Sequence, residues 1–204
     1  MINLKIGILS LQGAIEEHER SIKNAADKLD IKIEIKRVIV PSEIDDIDGL
    51  VMPGGESSAM ILIGSKNGML DAVNSKIKEG LPVFGTCAGA ILLSKIVRRD
   101  QNSDSKEGAF PFLNVEILRN GYGRQIDSFI TMLDLQDEEE AFEGVFIRAP
   151  RIRKIGEKVH SYVNLKNDPV FIREGNIIVT TFHPELTGDS RIHELFLKLI
   201  IERA

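Results

Sequence analysis

Apolar residues recur along the first half of the chain in two alternating patterns, one typical of buried strands and one typical of helices. Four short apolar runs predict strands, at residues 4–11, 31–35, 49–52 and 81–84. Three further stretches predict helices, at residues 14–29, 57–78 and 90–97. The second of these is expected to break near Gly64 or Gly68. Alternation of strands and helices predicts a mostly parallel sheet with helices on both faces.

The second half of the chain contains mainly strand-like segments. A polar stretch at residues 99–108 predicts an exposed loop, and the segments after it predict strands, at residues 113–118, 128–133, 144–147, 170–173 and 177–182. A final helix is expected over residues 190–202, with Asp189 or Ser190 as its N-cap. Because no repeat, low-complexity tract or linker interrupts the chain, we expect one α/β domain over residues 1–204, with an open, flavodoxin-like sheet.

Charge and composition disfavour several classes of partner. The 204 residues carry a formal charge of −5, which argues against nucleic acid and anionic membranes. No apolar stretch reaches the roughly 18 residues of a membrane span, and a basic cluster at residues 148–154 is interpreted as a solvated edge. The N-terminus lacks the features of a signal peptide, and a single cysteine cannot form an internal disulfide, so we expect a cytoplasmic protein.

The single cysteine, Cys87, lies in Gly85-Thr86-Cys87-Ala88-Gly89, between a predicted strand and a predicted helix. This arrangement is typical of a nucleophile elbow, in which flanking glycines permit a tight turn that exposes the nucleophile. The start of the helix favours a thiolate, and the backbone N–H of Ala88 is expected to face a developing oxyanion. An inert, buried cysteine is the alternative, but the glycines and the strand–turn–helix context favour the nucleophile.

His183 is the best candidate for the base that this thiolate needs. The other three histidines lie in helical or mixed segments, at positions 18, 160 and 193. His183 follows the predicted strand 177–182, which places it at the same sheet edge as Cys87. Glu185 is expected to orient the imidazole as the third member of a triad. A structural histidine at a strand end is the alternative interpretation.

A glycine-rich turn, Pro53-Gly54-Gly55-Glu56-Ser57, follows the third predicted strand. Paired glycines free backbone N–H groups to face a ligand, which suits an oxyanion donor, and Glu56 could bind an amine. A tight turn ahead of a helix is the alternative, because glycine pairs are common in turns.

These segments resemble class I, triad-type glutamine amidotransferases. The likeness starts with the elbow, the Pro-Gly-Gly-Glu-Ser turn and Phe-His-Pro-Glu at residues 182–185. Further segments are similar to the family of glutaminase subunits of pyridoxal 5′-phosphate synthase: Leu-Gln-Gly-Ala at 11–14 with Glu-His at 17–18, Asn-Gly-Tyr-Gly-Arg-Gln at 120–125, Phe-Ile-Arg-Ala-Pro at 146–150 and His-Pro-Glu-Leu-Thr at 183–187. Together they span the chain from about residue 6 to residue 200.

The resemblance implies a glutamine amidohydrolase that forms a thioester on Cys87 and needs no metal or cofactor. It assigns the triad to Cys87, His183 and Glu185. It implies substrate contacts for Gly54, Gly55, Glu56, Arg124, Ile147 and Arg148. It implies oxyanion contacts for Gly55, Ala88 and Gln12. The carboxylate of Glu56 would meet the α-amino group of L-glutamine, and one of the arginines would bind its α-carboxylate.

The resemblance also implies a partner protein. Nothing in the chain resembles a sugar-phosphate site or a pyridoxal-binding lysine pocket. The ammonia would therefore pass to a separate pyridoxal 5′-phosphate synthase (lyase) subunit within a large hetero-oligomer. Glutaminase activity would depend on that partner.

Three features of the chain depart from the family pattern. Ser58-Ala59 replaces two threonines, which should matter little to the chemistry. The stretch 99–112 is unusual in length and composition, and Gly121 replaces a bulkier residue. Neither of the latter touches the triad, but either could alter docking to a partner.

Three alternatives stay open at this point. The chain could be a cysteine hydrolase or glyoxalase-like protein on a related sheet, a non-catalytic binding subunit, or a glutaminase of another pathway, such as histidine biosynthesis. Intact Cys87, His183 and Glu185 argue against the binding subunit. The segments at 123–125 and 146–150 argue against another pathway, by resemblance alone.

Overall fold

The computed structural model describes residues 3–119, 121, 128–135 and 140–203. The strands in these ranges are β1 (Asn3–Leu9), β2 (Lys32–Val38), β3 (Gly49–Met52), β4 (Val83–Thr86), β5 (Ser94–Arg98), β6 (Ser105–Lys106), β7 (Leu113–Leu118), β8 (Ser128–Leu133), β9 (Phe142–Ile147), β10 (Arg151–Ile155), β11 (His160–Leu165), β12 (Asp168–Glu174) and β13 (Ile177–Thr180). The α-helices are α1 (Ile15–Lys28), α2 (Ser57–Lys66), α3 (Met69–Lys78), α4 (Ala88–Leu93) and α5 (Arg191–Ile201). Short 3-10 helices lie at Pro41–Ile44 and Pro184–Leu186.

A seven-stranded sheet forms the centre of the fold, in the order β11-β12-β13-β4-β3-β1-β2. Strands β13, β4, β3, β1 and β2 run parallel, whereas β12 and β11 extend one edge in antiparallel fashion. The predicted mostly parallel sheet is therefore confirmed. Thr180 at the end of β13 pairs with Thr86 at the end of β4. The segments that follow these two strands consequently leave the sheet at the same edge.

Helices cover both faces of this sheet, because successive residues of a strand point to opposite faces. Leu50 and Val83 pack with apolar residues of α2, α3 and α4 on one face. Val51 and Phe84, their neighbours in sequence, pack with α1 and α5 on the other face. Each fully buried apolar side chain of this size stabilises the fold by about 1.5–3 kcal/mol relative to exposure. The two apolar layers thus hold the strand ends in fixed positions.

Two smaller sheets are built from the second half of the chain. One has four strands in the order β10-β7-β5-β6, and the other is the hairpin of β8 and β9. The backbone N–H of His183 donates to the carbonyl oxygen of Val145 in β9 at 2.8 Å. This bond fixes the hairpin beside the segment that follows β13. The hairpin therefore brings Ile147 and Arg148, at the end of β9, to the edge where β4 ends.

The helix predicted at residues 90–97 is wrong in its second half. Helix α4 ends at Leu93, and Ser94–Arg98 forms β5, which pairs with β7. The hydroxyl of Ser94 donates to the carbonyl oxygen of Ala90 at 2.6 Å, which satisfies a helix-end acceptor. The apolar spacing of residues 94–97 favours a helix, but pairing with β7 outweighs it. The local pattern could not reveal this, because the hydrogen-bond partners of β5 come from another part of the chain.

Strands β10 and β11 were not predicted from the sequence, because their apolar residues are too few for a clear period of two. In β10, Ile152 is buried whereas Arg153 and Lys154 are exposed. The strand lies at the edge of its sheet, so Arg153 and Lys154 of the basic cluster do occupy a solvated edge, whereas Arg151 pairs with Asp168 and Arg148 lines the cavity described below. The predicted break in the second helix occurs at Gly68, which has a φ of 79°. Within the described ranges, no helix has the length and apolarity needed to cross a membrane.

The expected capping of the last helix is divided between two residues. Ser190 occupies the N-cap position of α5, but its hydroxyl bonds the Glu194 carboxylate at 2.8 Å. The carboxylate of Asp189 instead accepts from the backbone N–H of Arg191 at 3.0 Å. The stretch 99–108 consists mainly of turns, as expected, with the two-residue strand β6 at its end.

Candidate active site

Cys87 lies in a sharp turn between β4 and α4. Its φ and ψ of 46° and −96° belong to a sparsely populated region for a residue with a side chain, as at a nucleophile elbow. Its backbone N–H donates to the carbonyl oxygen of Thr180 at 2.9 Å, which ties the turn to β13. A Cβ on Gly85 would lie 2.9 Å from the carbonyl carbon of Gly89, so the turn needs glycine there. The strain is thus maintained by close backbone packing around the thiol.

His183 and Glu185 lie directly beside this turn. The Nδ1 of His183 is 2.7 Å from Oε1 of Glu185, and its ring lies with the Cys87 side chain against Gly54 at the cavity. Burial alone would lower the pKa of His183, but the hydrogen bonds and charges of Cys87 and Glu185 raise it to about 10. The structure therefore brings the three residues of the expected triad together, with the histidine held as an imidazolium at neutral pH.

The loop with Gly54 and Gly55 packs directly against the nucleophile and its base. A Cβ on Gly54 would lie 2.9 Å from Nδ1 of His183 and 3.3 Å from Cβ of Cys87, so no larger residue fits. The carbonyl oxygen of Gly54 accepts from the N–H of Ala14 at 3.2 Å. Since the two polar groups of a trans peptide point in opposite directions, the N–H of Gly55 is directed away from α1.

Gln12 holds the next peptide of this loop. Its Oε1 accepts from the backbone N–H of Glu56 at 2.6 Å, and a Cβ on Gly55 would collide with the same oxygen. The amide oxygen of Gln12 is thus used to shape the loop, which leaves the amide NH₂ as its donor toward the cavity. Ala88 begins α4, so its N–H has no acceptor within the helix.

An open cavity of about 270 Å³ lies over the thiol. It is lined by Gln12, Gly55, Glu56, Ser57, Cys87, Ile91, Arg119, Ile147, Arg148 and His183. Glu56 and Arg148 form its charged rim, with Oε1 and Nη1 3.7 Å apart and both side chains about two-thirds exposed. The expected contact residue Arg124 lies outside the described residues. The other residues expected at the substrate or the oxyanion either line this cavity or, like Gly54 and Ala88, adjoin the thiol.

Arg119 is a cavity residue that the sequence did not suggest. It follows β7, and its Nη2 donates to Oγ of Ser58 at 2.9 Å. The signal that could have identified it is an arginine at a strand end directly before the Asn-Gly-Tyr-Gly segment. Ser58, which replaces an expected threonine, thus holds a cavity arginine by its hydroxyl.

Gly121, where a bulkier residue was expected, packs against the backbone and Cβ of Arg151. A side chain at this position would collide with that residue, so the substitution matches the close approach of two segments. The guanidinium of Arg151 pairs with Asp168 at 2.6 Å, which secures β10 against β12.

Two more histidines, His18 of α1 and His193 of α5, lie behind the triad and are fully buried. His18 is 3.6 Å from the Glu185 carboxylate and 3.1 Å from both the Thr86 hydroxyl and His193. The sequence assigned both histidines to helices correctly, but not to one cluster, since only the packing of α1 against α5 joins them.

Comparison with known proteins agrees with this geometry. Residues 8–202 match the SNO glutamine amidotransferase family. The protein described as pyridoxal 5′-phosphate synthase subunit PdxT of Saccharolobus islandicus is 44% identical over 97% of this chain and 99% of its own length. The protein of the same description from Thermosipho africanus is 42% identical with the same coverage.

Solved structures show the same relationship. One described as a glutamine amidotransferase is 38% identical, has a TM-score of 0.81, and covers 96% of this chain and 98% of its own. A glutamine amidotransferase from Thermotoga maritima, with a TM-score of 0.59 and 11% identity over 99% of this chain and 97% of its own, shares the fold. With the family match extending over nearly the whole chain, the resemblance seen in the sequence is confirmed, and this glutaminase belongs to the SNO glutamine amidotransferase family.

Proposed function

We propose that this chain hydrolyses L-glutamine to L-glutamate and ammonia through a thioester on Cys87, and supplies the ammonia to a separate pyridoxal 5′-phosphate synthase subunit. The observation that carries the proposal is the placement of His183 between the Cys87 thiol and the Glu185 carboxylate, to which it is hydrogen-bonded, at the floor of a cavity with a charged rim. Such an arrangement activates a thiol and holds the proton that a departing amine requires.

In the first half-reaction, the Cys87 thiolate attacks the side-chain amide carbon of glutamine. The negative charge that develops on the amide oxygen is stabilised by the N–H groups of Ala88 and Gly55. The imidazolium of His183 gives its proton to the amide nitrogen as the C–N bond breaks, so that ammonia leaves and a thioester remains. Glu185 keeps the ring oriented throughout, because it accepts from Nδ1 at 2.7 Å.

In the second half-reaction, water attacks the thioester. His183, now neutral, removes a proton from this water, and the C–S bond of the tetrahedral intermediate breaks to release glutamate. The thiolate and the imidazolium are thereby regenerated. One glutamine and one water are consumed for each glutamate and ammonia formed.

The cavity has the charges that an amino acid requires. We assign the Glu56 carboxylate to the α-amino group of glutamine, and Arg119 with Arg148 to its α-carboxylate. Arginine suits a carboxylate because its planar fork donates two parallel hydrogen bonds. Ile147, about 40% exposed, offers apolar surface to the substrate's methylene groups. A role for Arg124 in the same recognition stays a prediction from the resemblance.

We expect Arg119→Ala to raise the KM for glutamine by about 10- to 100-fold, with a smaller change in kcat. A hydrogen bond to a charged group stabilises by about 1.5–3 kcal/mol, and each 1.4 kcal/mol corresponds to about tenfold. Steady-state kinetics on the full chain with its synthase measures this. Arg153→Ala, which removes an exposed arginine of β10, is the matched control. An unchanged KM in Arg119→Ala would remove this residue from substrate binding.

A protein partner that receives the ammonia is inferred from chemistry and from the relatives. At neutral pH free ammonia is largely protonated and is lost as a nucleophile, so a glutaminase that feeds a synthesis benefits from a docked acceptor. The relatives from Saccharolobus islandicus and Thermosipho africanus are described as subunits of pyridoxal 5′-phosphate synthase. We therefore propose the synthase subunit as partner in a large hetero-oligomer. A cytoplasmic location stays a prediction of the sequence.

We expect the glutaminase activity of the purified chain to rise when the synthase subunit is added. The measurement is the release of glutamate from glutamine at fixed chain concentration, titrated with synthase until the rate is constant. An unrelated protein at the same concentrations serves as the control. High and equal activity without and with the synthase would contradict dependence on this partner.

A further inference from the structure

Behind the triad, four fully buried side chains form a cluster that the reaction steps above do not use in full. The Nε2 of His18 is 3.1 Å from Oγ1 of Thr86 and 3.6 Å from Oε1 of Glu185. The Nδ1 of the same ring is 3.1 Å from Nε2 of His193. His18 therefore lies between the triad carboxylate and a second imidazole.

The hydrogen-bonding capacity of the two imidazoles selects the positions of their protons. A neutral imidazole has one N–H donor and one acceptor nitrogen, so one ring must donate across the 3.1 Å contact and the other must accept. If His18 donated, Nδ1 of His193 would carry a buried N–H for which the described residues provide no acceptor. In that case the lone pair of His18 Nε2 would also face the Glu185 carboxylate.

The opposite arrangement avoids both costs. When His193 Nε2–H donates to Nδ1 of His18, the atom without a described partner is only an acceptor nitrogen. A buried donor without a partner is the more costly case, because a backbone or side-chain N–H is rarely left unpaired. His18 then carries its own proton on Nε2, which donates to Thr86 Oγ1 at 3.1 Å and lies 3.6 Å from Glu185 Oε1.

Both rings are held in the neutral form at neutral pH. Burial lowers the pKa of His193 to about 3, with a further lowering from the charge of His18 and a smaller opposing contribution from Glu185. Burial also lowers the pKa of His18, against the raising effects of Glu185 and Glu17, while His183 adds to the lowering. The Glu185 carboxylate thus has a cationic neighbour in His183 and a neutral neighbour in His18, with His193 behind His18.

We propose that His18 is a positioning residue for the triad, and that His193 fixes its tautomer so that the protonated Nε2 of His18, hydrogen-bonded to Thr86, is the ring atom that faces Glu185. The buried carboxylate has few polar neighbours, because Oε1 is hydrogen-bonded to His183 and lies 3.6 Å from His18, while Oε2 has no hydrogen-bond partner among the described residues. A neutral donor stabilises Glu185 without competing, as a second cation would, for the charge that orients His183. The inference rests on the glutaminase function proposed above.

The tautomers can be read without any activity measurement. The chain has only four histidines, so their ¹⁵N shifts in the full-length protein can be assigned with single substitutions. We expect His18 and His193 both to carry the proton on Nε2 at neutral pH. An Nδ1-protonated His193, or a doubly protonated His18, would overturn the proposal. Because the ¹⁵N shifts are measured without substrate, they test the proposed tautomers independently of the glutaminase function.

Kinetics on the full chain with its synthase tests the positioning role. His18→Leu removes the donor but keeps the volume, and is expected to lower kcat by about 10- to 100-fold with an unchanged KM for glutamine. His18→Gln places an amide N–H near the position of Nε2 and is expected to recover most of kcat. No loss in His18→Leu would show that the ring only fills space, and equal losses in both variants would show that an N–H donor at this position is not what the triad needs. Either result would overturn the proposal.

A double-mutant cycle tests whether His193 acts through His18. His193→Leu is expected to lower kcat in the parent chain but to have no further effect in the His18→Leu background. Independent, additive losses would contradict the fixed tautomer. Thermal unfolding measures whether each variant is folded. If His193→Leu does not fold, His193→Gln replaces it. This variant keeps a donor near the position of Nε2 and should keep the parent kcat.

Discussion

Cys87→Ala is expected to lower glutaminase activity by about 10⁴-fold or more, to the level of the background reaction. Removing a nucleophile abolishes the covalent route, and losses of about 10⁶-fold are known for residues that act as a catalytic unit. The measurement is glutamate release by the full chain with its synthase. Thermal unfolding should show a stable fold, since alanine can pack where the small, largely buried thiol lies.

Covalent labelling tests directly whether the thiol of Cys87 is the nucleophile. Because the chain has one cysteine, a glutamine-mimicking electrophile should add a single label, found by mass spectrometry on the peptide with Cys87. Excess glutamine should slow the labelling, and Cys87→Ala should not be labelled at all. Unchanged ammonia production in Cys87→Ala would reject the thioester mechanism and would leave a fold without its proposed chemistry.

Glu185→Gln is expected to lower kcat by about 10³- to 10⁴-fold, with little change in the KM for glutamine. The amide cannot stabilise the imidazolium of His183, and its NH₂ group can force the ring into the wrong tautomer, as removal of the orienting carboxylate does in other triads. The charge and hydrogen bond of Glu185 help to raise the pKa of His183, so this pKa should fall from about 10 in the variant. A histidine NMR titration measures the shift.

The pH at which His183 loses its proton should be lower in Glu185→Gln than in the parent chain. A histidine with a raised pKa keeps its proton in the folded state up to the folded-state value, so the imidazolium should persist to about pH 10 in the parent chain and to a lower pH in Glu185→Gln. Glu157→Gln, at an exposed glutamate remote from the triad in sequence, is the matched control and should leave both kcat and this titration unchanged. Parent-like kcat in Glu185→Gln would remove the carboxylate from the catalytic unit.

Local patterns were sufficient for most elements of the fold. The strands at 49–52, 113–118 and 128–133 and the final helix could be predicted because their apolar periods and flanking turn residues are encoded within each segment. The antiparallel β11 could not, because it has too few apolar residues for a clear period of two, although its partner β12 begins only three residues after it ends. Strand β5 was missed for another reason, since its pairing with β7, a strand from later in the chain, outweighs its helical spacing.

In the candidate site too, some residues could be predicted from local sequence and others only from the structure. Cys87 and His183 could be found because each follows a predicted strand, and parallel strands end at one edge of a sheet. Arg119 was missed, since its position at a strand end before the Asn-Gly-Tyr-Gly segment does not by itself indicate that its guanidinium reaches Ser58 at the cavity. The paired histidines behind Glu185 were missed for the same reason, because they come from two helices at opposite ends of the chain.

The sequence by itself determined the alternation of strands and helices, the glycine-bounded thiol and the segments that mark the glutamine amidotransferase family. These features depend on neighbours within a few residues, where backbone sterics and side-chain periodicity act directly. Only the tertiary structure decided which charged groups meet over the thiol and which buried groups stand behind it. Such contacts form between residues up to 175 positions apart, as between His18 and His193, and arise from packing that no local pattern encodes.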